Sequence, residues 1–326
     1  RTYLREGIEV LCETHYNGKP PRLTPEQQAA LSIELRTHLY YNAGQVIRWV
    51  AQEFGVTYQT RGMHKLLKRL GFSYKKNRLI PSQADPEAQR RFVHWFTKLR
   101  AELGPDDRIY FLDAVHVHHN AEAGYTWSPI GDPHLIPTNS GRQRYNILGA
   151  YCTQTHEHTF ILTTTNINQA SVITLLYQLR GQHPDQRVWY SVLPPAKYAA
   201  LALFALPWDV TIPELPSPTT TEAKLYIVLD NASYNHAHWV RDQAQASGIE
   251  LHFQPPYSPN LNLIERLWKF MRHECCQDKY ESTFAAFRAK LDAFFAQLDQ
   301  HRDALATLLT ENFEMIPSSW QALPPA

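Results

Sequence analysis

The chain has 326 residues, 44% of them hydrophobic and 12% aromatic, with a formal net charge of +1. That much apolar material excludes an intrinsically disordered chain and is enough for one large domain plus one small one. The near-neutral total excludes nothing about nucleic acid, because what matters there is where the basic residues cluster.

Residues 1–22 read as helix-like sequence followed by a proline-rich connector. Thr24-Pro25-Glu26 then opens a helix, with Thr24 as N-cap and Pro25 at the first helical position, running to about Tyr41. A second helix, Gly44 to Phe54, places Val46, Ile47 and Val50 on one face. After the turn at Gly55, a third helix runs from about Tyr58 to Leu70, with Leu66, Leu67 and Leu70 inward and Gly71 where a C-terminal cap glycine belongs. Two helices joined by a short glycine turn are the grammar of a helix-turn-helix, here spanning 23–80. Its third helix and following arm carry Arg61, Lys65, Lys68, Arg69, Lys75, Lys76 and Arg78 with no acidic residue among them, so they are the candidate DNA-binding set.

The remainder, 81–326, changes character. A helix from Pro86 to Leu103 with Phe92, Trp95, Phe96 and Leu99 on its apolar side is followed by strand-like runs at Arg108–Val117, Tyr145–Tyr151 and Thr159–Thr164. Next come a helix at Asn168–Arg180, a buried strand at Lys224–Leu229, a short strand at Ile249–Phe253 and a helix at Asn262–Cys276. Strands first, then alternating helix and strand, predict an α/β fold with a mixed sheet flanked by helices. The stretch 183–223, rich in Pro, Ala and Thr, separates two core elements and reads as an insertion. Cys12, Cys152, Cys275 and Cys276 match no zinc-ligand spacing, which points to reduced thiols. No run approaches the ~20 apolar residues of a membrane span, so a cytoplasmic protein is expected.

Two apolar strands each carry an aspartate: Asp113 inside the first and Asp230 at the end of the fourth. A carboxylate in such a setting is costly unless it is paired or holds a cation. Glu265 sits at the edge of the apolar stripe formed by Leu261, Ile264, Trp268 and Met271. Three convergent carboxylates without cysteine suit Mg²⁺ or Mn²⁺ rather than zinc, and two such ions ~3.5–4 Å apart suit phosphoryl transfer. His116 and His118 alternate away from Asp113 along the strand, which argues against a zinc site there.

The string QPPYSPNLNLIERLWKFMR around Glu265 resembles the glutamate signature of the bacterial insertion-sequence branch of the mariner superfamily, and 34 residues separate Glu265 from Asp230. LYIVLDNASYNHA resembles that family's second-aspartate motif, IYFLDAVHV its first, and GYTWSPIGDP with RQRYNILGAY the stretch that follows. GFSYKKNRLIPSQADPEAQRRF, with the helices before it, resembles the DNA-binding half and its linker. The resemblance implies an RNase H-like catalytic domain behind a small all-α, winged helix-turn-helix, with residues 1–22 the remnant of a first helix-turn-helix. It implies Asp113, Asp230 and Glu265 as catalytic and metal-binding residues, and Asn231 and His236 as site support. It further implies a bacterial transposase that binds terminal inverted repeats as double-stranded DNA, cuts the ends with two Mg²⁺ ions and joins them to a TA target as a homodimer or larger. Three departures stand out. Ala114 follows the first aspartate where an acidic residue is frequent, Asn235 stands where the family often has histidine, and the interval from Asp113 to Asp230 is long. The competing readings are a non-catalytic DNA-binding regulator derived from a transposase and a metal-dependent nuclease without strand transfer.

Overall fold

The computed structural model describes residues 21–77, 79–183 and 223–317. Arg78, the segment before residue 21 and nearly all of the 183–223 insertion therefore lie outside the described residues. The chain divides into two compact units that part between Leu79 and Ile80.

In the first unit, helix α1 (Pro25–Thr37) begins with a reciprocal capping box between Thr24 and Gln27. It stops four residues short of the expected Tyr41. The backbone at 38–42 is claimed by the next helix instead: Gln45 accepts from the Tyr41 N–H, and Asn42 accepts from the Gln45 N–H. Helix α2 (Ala43–Phe54) ends on Gly55, whose φ of +67° suits glycine. Helix α3 (Thr60–Arg69) ends as its sequence predicts, with Gly71 at φ +84° and the Phe72 N–H bonded to the Leu67 carbonyl. Leu31, Val46, Val50, Met63 and Leu66 close the small core. Ile47, Leu67 and Leu70 pack only partly against it, and Met63 is a core residue the leucine pattern overlooks.

The second unit opens with α4 (Pro86–Glu102). Its sheet comprises β1 (Arg108–His118), β2 (Arg144–Cys152), β3 (His158–Thr163), β4 (Leu225–Leu229) and β5 (Ile249–Phe253). The strand order is β3-β2-β1-β4-β5. β1–β2 and β2–β3 are antiparallel, whereas β1–β4 and β4–β5 are parallel. This is the mixed sheet that the order of elements in the sequence predicts, and it agrees with the RNase H-like fold that the resemblance implies.

Helices α5 (Gln169–Gln182) and α6 (His238–Ala246) cover one face, packing on Tyr110, Leu112, Ile227 and Leu229. The other face carries Phe111, Val115, Tyr226 and Val228 under α4, α7 (Ile264–Cys275), α8 (Phe284–Ala296) and α9 (Arg302–Leu308). Strand alternation therefore puts Asp113 on the face that α7 covers. The fully buried Arg180 of α5 donates to the carbonyls of Ser247 and Gly248 and to those of His183 and Ala223, which flank the insertion. Among the described residues no helix is long and apolar enough to cross a membrane.

Candidate active site

Parallel pairing of β1 with β4 brings the carboxylates together. The register sets Phe111 beside Val228, so Asp113 lies two residues beyond the end of that pairing and Asp230 follows β4 at the same end of the sheet. Ligands in sheets with parallel strands collect at such carboxyl ends. The loop after β5, QPPYSPNLN, folds through a 3-10 turn at Pro259–Leu261 and delivers Glu265 in the first turn of α7. Asp113, Asp230 and Glu265 then line one cleft of about 330 Å³, together with Asn231, Tyr257, Ser258 and Asn262.

Each side chain is held by identifiable partners. The Trp268 indole N–H donates to Asp113 Oδ2 at 2.9 Å. That approach requires a glycine at 149, opposite Asp113 on β2: a Cβ there would stand 2.7 Å from Trp268 Cη2 and 2.7 Å from a Phe160 ring carbon. Asp230 Oδ1 accepts from the buried Asn235 amide at 2.7 Å and from the Ala232 N–H at 3.1 Å. Asn235 thus fills the position where the resembled family often carries histidine. Asn231 donates to the Gln254 carbonyl at 2.6 Å and tethers the loop that precedes Glu265. His236 does not line the cleft. It reaches Asn231 Oδ1 at 3.1 Å and stacks on Phe253, one step behind. Asn262 donates to the Leu112 carbonyl on β1 at 3.0 Å, leaving its Oδ1 buried without a partner.

The electrostatics are those of a crowded anionic site. The Asp113 carboxyl is pushed up to about 7, by burial first and then by Glu265, with Asp230 adding to the rise and the Trp268 N–H opposing it. Glu265 is also raised, by burial first; Lys269 and Arg272 pull it back and Asp230 pushes it up. Among the described residues no three His, Cys, Asp or Glu side chains stand close enough, as placed, to hold a metal ion. The donor set still fits a hard cation, because carboxylates that repel one another in a shared cleft are stabilised by a positive charge between them.

The remaining sequence candidates lie elsewhere. Arg61, Lys65, Lys68 and Arg69 are exposed on α3, and Lys75 and Lys76 are exposed on the arm after it, all in the first unit. His116 and His118 bond to Asn146 and to the Gly141 carbonyl, and His119 is buried against the Glu281 carbonyl. Trp268 and Asn262 are the site residues that sequence reasoning does not single out, and Asn235 enters it only as a departure from the resembled family. Trp268 is visible there only as part of an apolar stripe.

The family model described as DDE superfamily endonuclease matches residues 108–287, which include all three carboxylates. A model described as winged helix-turn helix matches residues 37–94. Among solved structures, the chain is similar to the Mos1 mariner paired end complex with Mn, at 16% identity over 96% of this chain and 86% of that chain, TM-score 0.58. It is similar to the Mos1 transposase paired-end complex with left transposon end, at 16% identity over 91% and 82%, TM-score 0.57. The mariner Mos1 paired end complex with Mg follows at 15% identity over 92% and 82%, TM-score 0.56. Identities this low are a likeness of fold. No curated protein matches the chain.

Proposed function

Since the chain belongs to the DDE superfamily endonuclease family, we propose that it is a DNA transposase whose catalytic residues are Asp113, Asp230 and Glu265. The observation that carries this reading is one cleft lined by all three carboxylates, with Asp113 and Glu265 both raised by burial first and by neighbouring carboxylate charge. A pair of Mg²⁺ or Mn²⁺ ions bound by these three groups would supply Lewis acidity at the phosphate and charge neutralisation for the attacking and leaving oxygens. The Mos1 complexes with Mg and with Mn support divalent cations in this role.

The chain's own residues do the positioning. Trp268 holds Asp113 at Oδ2, and Asn235 and the Ala232 N–H hold Asp230 at Oδ1. Asn231, backed by His236, anchors the Gln254–Asn262 loop and so sets where Glu265 begins its helix. No protein nucleophile is needed. Water attacks the phosphorus at the element's end, forming one P–O bond as the bond to the 3′ oxygen breaks. The freed 3′ hydroxyl then attacks a target phosphodiester in the same in-line manner, for which a TA target is the family expectation. Alignment of the reacting groups in a fixed cleft supplies much of the acceleration. The exposed Arg61, Lys65, Lys68 and Arg69 of α3 grip the terminal repeats, with the exposed Lys75 and Lys76 after them. Two ends must be held at once, so the working form is at least a homodimer.

The test uses the gene with its native flanking DNA as substrate, in Mg²⁺ and in Ca²⁺, with the ends of every product mapped. Cuts bracketing the gene, found only in Mg²⁺ and accompanied by joined products, are the expected result. Sequence-independent nicks without joined products would point to a nuclease, and binding without cutting would point to a regulator.

A further inference from the structure

A second hollow, of about 340 Å³, adjoins the carboxylate cleft: Gln254 and Pro255 line both. Its other walls include Arg91 and Trp95 from α4, and His252, Phe253 and Pro256 at the end of edge strand β5. The lining is flat and aromatic. The Trp95 and His252 rings lie 4.3 Å apart between centroids at an interplanar angle of 35°. Burial holds the His252 imidazole below its usual range, with Glu250, 3.5 Å away, opposing the shift. The Arg91 side chain is 66% exposed and pairs at 3.8 Å with the similarly exposed Asp85.

An apolar, ring-walled hollow with a cation beside it matches the two halves of a nucleotide, a planar base and its phosphate. Its continuity with the cleft identifies which nucleotide. If a phosphodiester lies against the three carboxylates, the base of a nucleotide next to it is the planar group within reach of a hollow one residue away. A base still paired and stacked in a duplex cannot present its face there, so the occupant is unpaired.

We propose that the Trp95–His252 hollow is a subsite for an unpaired nucleobase beside the scissile phosphate. This rests on the transposase reading of the carboxylate cleft. Base entry makes local opening of the duplex part of substrate recognition, and Arg91 steadies the phosphate of the displaced nucleotide.

The test places 5-iodo-2′-deoxyuridine, one position at a time, along the native DNA flanking each end of the gene. The full-length protein is irradiated on this DNA in Ca²⁺ and the crosslinked peptides are identified. In parallel, wild type, Trp95→Leu and Arg91→Ala are titrated with the same DNA, intact or abasic at the crosslinking position. The expected result is a crosslink to Trp95 or to the 252–256 segment from one flanking position. At that position Trp95→Leu weakens binding by about fivefold to a hundredfold, as loss of one stacked base predicts, but leaves affinity for abasic DNA unchanged. Arg91→Ala, an exposed change that spares the core, weakens binding to both. Crosslinks confined to other segments, or equal losses on intact and abasic DNA for Trp95→Leu, overturn the subsite. Site-specific cutting without these crosslinks refutes the subsite alone. The crosslink without any cutting in Mg²⁺ refutes the catalytic reading and leaves a base-binding hollow.

Discussion

Asp113 shows how a single residue links sequence to chemistry. Its carboxyl is pushed up to about 7, so in metal-free protein its contribution to stability is present at acid pH and is lost as pH rises through that value. Glu265 shifts in the same direction. Without divalent cations the protein should therefore melt at a lower temperature at pH 8 than at pH 5.5. One such group changes the free energy by at most about 1.4 kcal/mol per pH unit. Mg²⁺ at pH 8 should restore the loss, and Asp113→Asn should flatten the pH dependence and weaken the Mg²⁺ effect. Melting curves for both proteins at the two pH values decide it; an Asp113→Asn curve parallel to wild type at both would refute the account. The carboxylates are legible in sequence because a charge interrupting an apolar strand is conspicuous. Trp268 is not, because its importance depends on which oxygen it faces. Trp268 satisfies the apolar stripe of α7 and the polar demand of Asp113 with the same ring, and periodicity reports only the first.

At the scale of elements, the strands and the capped helices are the legible part. Every strand begins and ends within a residue of its apolar run, although only β2 and β4 are buried nearly throughout and edge strand β5 buries Ile249 alone. Helices α6, α8 and α9 have no counterpart in the sequence reading. The nine residues of α6 start without a side-chain cap, and on α8 the stripe of Phe284, Phe287, Leu291, Phe294 and Phe295 loses contrast because Ala285, Ala286, Ala289, Ala293 and Ala296 occupy the other faces. Packing between elements also sets Gly149. Gly149→Ala would push a methyl into both Phe160 and Trp268, so the fold should lose about 1–3 kcal/mol and Trp268 should be displaced from Asp113. Denaturant titration measures the first effect; stability within about 0.5 kcal/mol of wild type would contradict the close packing. On α3, Lys65 and Lys68 lie three residues apart on the exposed side, opposite Met63 and Leu66. Replacing both with Ala should weaken DNA binding and reduce the slope of log affinity against log salt by roughly two, about one for each phosphate no longer neutralised. An unchanged slope would remove α3 from the phosphate backbone.

For the whole molecule, the division into two compact units argues that recognition and chemistry are separable functions of one chain. The exposed basic residues of α3 and the arm belong to the unit that ends at Leu79, whereas all three carboxylates belong to the unit that begins at Ile80. Each unit has its own buried core. Asp230 tests this directly. It is exposed to the cleft rather than built into the apolar layers, and its loss frees Asn235 without opening a cavity among hydrophobic side chains. Asp230→Ala should therefore bind the native end DNA with nearly wild-type affinity and salt dependence while cutting falls to background. Gel-shift titrations beside a Mg²⁺ cleavage assay on one preparation measure both at once. Mg²⁺-dependent cutting that survives the substitution would remove Asp230 from the catalytic set. A parallel loss of binding would mean that the two units do not act independently on DNA.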